Sequence, residues 1–311
     1  MFIKESILKT LAWFELFEHP LTQKELFGFL WRSPKISYED FVREIDNLVN
    51  KKVIGKEQDF YFLYNKNGLV EKRLEKEKFV DNKLSILKKA VKKMRYVPFL
   101  EAVFLCNNLS FKTAKENSDI DVFIIAKDGR IWIVRFFTTV ILSLFGLRRT
   151  KKKIKDKICL SFYCSSKYLN LRTIQINDKP DVYLIYWLSQ LVPIYDVDNV
   201  QEKIKKGNSW IKDYLNNVDN YELFDKFFNI QDDKFSRIFK SFFQNAWKGK
   251  YGDLVEKQLC EMQKTKMKMN AYSKQAENDT EVIINDKMLK FHENDRREYY
   301  KKKWNELTKN Y

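Results

Sequence analysis

The stretch Phe99–Lys127, FLEAVFLCNNLSFKTAKENSDIDVFIIAK, decides how the chain is read. Two β-prone runs, Ala102–Cys106 and Ile120–Ile125, flank a polar segment, and the second follows directly on Ser118-Asp119. Side chains alternate across a strand, so Asp119 and Asp121 project from one face and Ile120 from the other. Two adjacent carboxylates repel unless a cation lies between them, and hard oxygen ligands suit Mg²⁺. On the pair alone, a capped strand edge with solvated acids is the plainer reading. The residues around it tip the balance for the fold, though not for catalysis.

Those residues resemble the nucleotidyltransferase superfamily of DNA polymerase β type, in which a Gly-Ser pair opens a short helix and a strand bearing Asp-x-Asp follows shortly after. Asn107-Asn108 stands where the family has Gly-Ser, and Ala114-Lys115-Glu116-Asn117-Ser118-Asp119-Ile120-Asp121 matches the approach to the strand. The strict match covers about 30 residues, and with the apolar helix Ile131–Leu147 and the strand Ile158–Tyr163 the pattern reaches about 70. The resemblance implies that the Asp pair and a third carboxylate on a later strand hold two Mg²⁺ ions. These bridge the phosphates of an NTP and activate an acceptor hydroxyl for in-line attack. On that reading Asp119 and Asp121 are catalytic and metal-binding, with Asp156 as a further metal ligand. Asn107, Asn108, Lys115 and Ser118 contact the nucleotide.

The chain departs from the family pattern twice. Asn107-Asn108 offers amides and side-chain donors, but a Cβ stands where glycine allows close approach. The later strand, Lys157–Tyr163, puts Ser161 near the expected third carboxylate, and its one acid is Asp156 at its start. Two readings follow: an Mg-dependent nucleotidyltransferase with an unknown acceptor, or a degenerate transferase fold serving as a nucleic-acid- or protein-binding regulatory module.

Outward from this stretch, 311 residues imply two or three domains, and 44% apolar with 32% charged residues supply packed cores. With 8 Gly and 5 Pro, a turn-rich all-β design is disfavoured and helix is expected to dominate a mixed α/β (α+β) fold. A formal charge of +16 favours polyanionic partners, although a Lys-rich composition explains it equally well. Four cysteines without C-x-x-C spacing, together with two histidines, disfavour structural zinc and suit a reduced, cytoplasmic protein. The first residues lack a basic segment followed by an apolar one, so no signal peptide is expected. Arg135 interrupts the apolar stretch 131–147 and leaves a clean run of 12 residues. That is below the roughly 18 of a spanning helix, so a buried helix and no membrane partner are expected.

Residues 1–66 show helix, helix, helix ending in Lys51-Lys52, then a hairpin, an order that resembles a winged helix-turn-helix. Its third helix carries Glu39, Asp40, Glu44 and Asp46, which repel phosphates, so docking on a protein or on the rest of the chain is favoured over reading DNA. Residues 67–97 are expected to form one charged connector helix, 98–178 the transferase-like core, and 179–311 a helical C-terminal region. Within that region Phe224, Phe227, Phe228, Phe235, Phe239, Phe242, Phe243 and Trp247 are spaced as a helical core face. The basic run Arg148–Lys157 beside the cleft suits phosphate or a solvated loop. His292, Asp295 and Arg297 suit a phosphate clamp or, preferred here, a helix start with surface arginines.

Overall fold

The computed structural model describes residues 2–64, 68–220, 229–268, 282–291, 295–309 and 311. Phe224, Phe227, Phe228, His292 and nearly all of the polar stretch 267–279 lie outside them. The fold is mixed α/β with two sheets.

Near the N-terminus, α1 (Ile3–Glu15) buries Ile7, Leu8, Leu11, Trp13 and Phe14 along one face. Then come β1 (Leu21–Thr22), α2 (Gln23–Gly28), α3 (Tyr38–Asn50), β2 (Ile54–Glu57) and β3 (Phe60–Leu63). Thr22 starts α2 through a reciprocal capping box with Glu25, and Ser37 caps α3, so the polar residues preceding each apolar period set the helix starts. The three strands pair antiparallel in the order β1-β3-β2.

The expected single connector is two helices, α4 (Leu69–Glu77) and α5 (Val80–Met94). The break at Lys78-Phe79 lets each half bury a different face. Arg73 of α4 reaches Glu25 in the N-terminal unit, whereas Leu84, Leu87 and Val91 of α5 pack under the large sheet.

That sheet has six strands: β4 (Leu100–Leu105), β5 (Ile120–Ala126), β6 (Ile158–Ser165), β7 (Val192–Asp196), β8 (Val282–Ile284) and β9 (Met288–Phe291), ordered β7-β4-β5-β6-β9-β8. β5 and β6 are parallel, joined over one face by α6 (Ile131–Leu144); the other pairs are antiparallel. The C-terminal region expected to be helical therefore contributes three strands to this sheet. Around them lie α7 (Val182–Ser189), α8 (Val200–Gly207), α9 (Lys234–Ala246), α10 (Lys250–Lys268) and α11 (Arg297–Thr308). The segment Pro193–Asp196 reads as a short break in isolation, but β4 supplies its hydrogen bonds, and its place on the sheet edge tolerates Pro193.

Alternation divides the sheet between two cores. Val103, Leu105, Val122, Ile124 and Tyr163 face α5 and α6. Ala102, Phe104, Phe123, Ile125 and Phe162 face a core continuous with α7, α11 and the N-terminal unit. There Trp13 stacks on Tyr186, Trp31 meets Trp304 edge-on, and Phe14 meets Phe111, so the N-terminal unit shares its core with the rest of the chain. Among the described residues no helix is long and apolar enough to cross a membrane.

Against expectation, Phe235, Phe239 and Phe242 of α9 are exposed. Of the expected apolar face, Phe243 and Trp247 are half-buried against each other, and polar residues make the buried contacts. Ser236 and Lys240 are buried and bond Asp232, and Lys240 also meets Tyr195.

Candidate functional site

Asp121 is the second residue of β5 and Asp119 immediately precedes the strand, so the period-two pleat carries both carboxylates to the same side. The parallel register of β5 with β6 sets Cys159 directly opposite Asp121. One carboxylate oxygen from each Asp and the Cys159 Sγ lie within 4.8 Å of one another. Arg149, on the loop leading back to β6, places Nε 2.9 Å from Asp119 Oδ2 and donates Nη1 to Cys159 Sγ at 3.5 Å.

Asn107 completes the cluster. It has a left-handed backbone, φ 58°, a conformation otherwise favoured by glycine and adopted by asparagine more readily than by most residues. This is a physical reason for Asn at this position. Its Oδ1 accepts from Trp187 Nε1 at 3.0 Å, and its side chain also bonds Asp121.

Burial pushes the Asp121 carboxyl up from its ordinary value, and the Asp119 charge adds to the shift, only partly countered by Asn107, Cys159 and Arg149. Burial raises the Cys159 thiol to about 12 and, helped by Asp121, the Cys106 thiol well above its usual range. Both thiols are therefore protonated near neutral pH. The two carboxylates suit one hard, Mg²⁺-like cation, whereas the protonated Cys159 thiol is a poor ligand for it, so the set falls short of the three carboxylates expected for two ions.

Asp156 does not join this group. Its Oδ1 accepts from Lys83 Nζ at 2.7 Å, and the same ammonium donates to the Ser118 carbonyl at 2.7 Å. Ser118 turns its hydroxyl to the Lys115 carbonyl. Lys83, Ser118 and Asp156 thus form a brace beneath the Asp119 turn, away from the carboxylate pair's own partners. Asn108 and Lys115 are exposed and line a cavity that reaches Asp121. Of the basic run, Arg149 enters the site, whereas Lys151, Lys152 and Lys153 are exposed and line neither cavity described next.

Two cavities share the walls Asn107, Asp121, Tyr183, Trp187 and Tyr300. One, of about 400 Å³, runs between the N-terminal unit and the sheet and is lined by Trp13, His19, Phe111, Tyr186 and Gln190 among others. The second, of about 490 Å³, includes Arg149, Cys159, Ser161, Arg296 and Arg297. Arg297 differs from the expected surface arginine. It is buried, bonding Asp181 at 2.9 Å and Asp295 at 2.8 Å, while Asp295 also accepts from Lys290. Asp295 does mark the helix start, accepting from the Arg297 amide.

Cys159, Trp187, His19 and Gln190 were not legible as site residues from the chain. The pairing of β6 with β5 and the docking of the N-terminal unit bring them in, and neither has a local signal. Comparison with family models, with curated proteins and with solved structures finds no match to this chain.

Proposed function

We propose that the protein binds an NTP with a divalent cation at Asp119 and Asp121 and transfers the nucleotidyl group to an acceptor hydroxyl. The observation that carries this reading is the convergence of the two carboxylates, of which Asp121 lines both cavities. The strand order around them supports a transferase-type core: β4 and β5 antiparallel, a short turn of helix between them bearing Asn107, then β6 parallel to β5. The order of elements in residues 1–66 supports a winged-helix reading for that unit. The exposed acids Glu39, Asp40 and Asp46 on α3 favour a docking role for it over reading duplex DNA.

A bound Mg²⁺ would supply Lewis-acid polarisation of the phosphate oxygens. Asp119 and Asp121 would hold it. Arg149, which in this structure compensates the Asp119 charge, would pair with a phosphate oxygen once Asp119 were neutralised in the bound state. Asn107 keeps the Asp121 carboxylate oriented, and Trp187 fixes Asn107.

The regulatory reading has one observation in its favour: Cys159, and not Ser161 as expected from the sequence, stands opposite Asp121, and the third member of the cluster is a thiol in place of a carboxylate. Incubation with labelled ATP, GTP, CTP and UTP, Mg²⁺ and RNA, protein or small-molecule acceptors separates the two. Transfer by the unmodified chain, abolished by Asp121→Asn, is expected if it is an enzyme. No transfer by the unmodified chain, with transfer appearing in Cys159→Asp, identifies a degenerate site. No transfer by either, with nucleotide affinity unchanged in Asp121→Asn, overturns the proposal.

A further inference from the structure

We infer that the cavity between the N-terminal unit and the sheet is the seat of the NTP's nucleobase, read by His19 and Gln190. This deepens the proposal above and rests on it. The cavity's volume of about 400 Å³ lies within the roughly 300–1,000 Å³ of small-molecule sites. Aromatic side chains make up much of its lining: Trp13, Phe17, Phe111, Tyr186, Trp187 and Tyr300. Its inner end is Asp121 and Asn107, so a base held there leaves its phosphates near the carboxylate pair.

Two buried polar side chains that line this cavity carry nitrogens with no hydrogen-bond partner among the described residues: both ring nitrogens of His19 and Gln190 Nε2, although the two residues are only 4% and 6% exposed. Buried polar groups are nearly always bonded, and exceptions mark places where a ligand or water completes the set. Burial, with Arg73 nearby, holds the imidazole neutral, at about 3. A neutral imidazole offers one donor and one acceptor, and the Gln190 amide adds a donor. That combination complements the edge of a nucleobase, and the aromatic walls complement its faces. A phosphate fits the chamber poorly. Its lining cation Lys76 is engaged by Glu18 and the Phe17 carbonyl, and Lys115 lies on the exposed rim.

Because His19 sits between the Phe14 and Phe111 rings, His19→Phe keeps the packing and removes the nitrogens. Calorimetric titration with each NTP and Mg²⁺ is compared with inorganic tripolyphosphate and Mg²⁺, in the unmodified full chain, His19→Phe and Gln190→Met. At least one NTP is expected to bind tenfold or more tighter than tripolyphosphate and to lose that advantage in either variant, while tripolyphosphate affinity stays constant. The matching nucleoside alone is expected to quench the fluorescence of the unmodified chain, in which Trp13 and Trp187 line the cavity. If NTPs bind no tighter than tripolyphosphate, with Asp121 still required, the base seat is wrong and the transferase reading survives. If tripolyphosphate does not bind but a nucleoside does, sensitive to His19 and Gln190, the base seat stands and the metal-phosphate reading fails. Nucleoside and NTP binding indifferent to both variants overturns the inference.

Discussion

Asp121 shows how a single residue trades stability for a site. Its folded pKa is raised by burial and by Asp119, so its contribution to stability is full below the ordinary 3.8 and is lost as pH rises through the folded value. Near pH 7 the charged pair is a net penalty without a cation. Asp121→Asn is therefore expected to stabilise the metal-free protein by about 1 kcal/mol at pH 7, with the gain shrinking toward acid pH. Urea denaturation at pH 7 and pH 4 checks this, and equal or lower stability of the variant at pH 7 contradicts it. The same-side placement of Asp119 and Asp121 was legible in the chain because strand alternation is a local rule. Cys159 was not, because its position opposite Asp121 depends on a parallel pairing across a helix and a loop. Asp156, the acid nearest in sequence to the expected third ligand, is instead drawn to Lys83, a cation 73 residues away.

Between elements, one buried link was hidden from sequence periodicity. Arg73 of α4 bonds both Glu25 carboxylate oxygens, at 2.7 and 2.9 Å, and its Nε reaches Glu77 at 2.9 Å. Glu25 was readable as the capping-box residue of α2, but its second role depends on where the connector breaks. Burial alone would raise the Glu25 carboxyl; Arg73 more than offsets it and holds the group at about 2. The sign follows: this contribution is present above the ordinary 4.5 and is lost as pH falls toward 2. Arg73→Met leaves a buried carboxylate without its partner and is expected to cost about 3–5 kcal/mol at pH 7. Adding Glu25→Gln to it is expected to recover much of that loss. Urea midpoints for the single and double variants check the coupling, and additive losses would refute it.

For the whole molecule, the central fact is that the N-terminal unit, the six-stranded sheet and α11 share one aromatic core, with the cavity that reaches Asp121 along their junction. Composition and periodicity made the α/β class and the N-terminal order of elements legible, because each depends on local patterns. Joining a helix-rich tail to the sheet as β7, β8 and β9 depends on distant partners, and the outward-facing phenylalanines of α9 defeat the rule that an apolar stripe marks the buried side. The acids on α3 locally oppose the attraction that the formal charge of +16 offers a polyanion. The most direct measurement is calorimetric titration of the full chain with a non-hydrolysable NTP in the presence and absence of Mg²⁺, repeated with Asp119→Asn and Asp121→Asn. Mg²⁺-dependent binding that weakens tenfold or more in each variant, about 1.4 kcal/mol or more, is the expected result. Nucleotide affinity that is independent of Mg²⁺ and unchanged in both variants would contradict the assignment of the carboxylate pair.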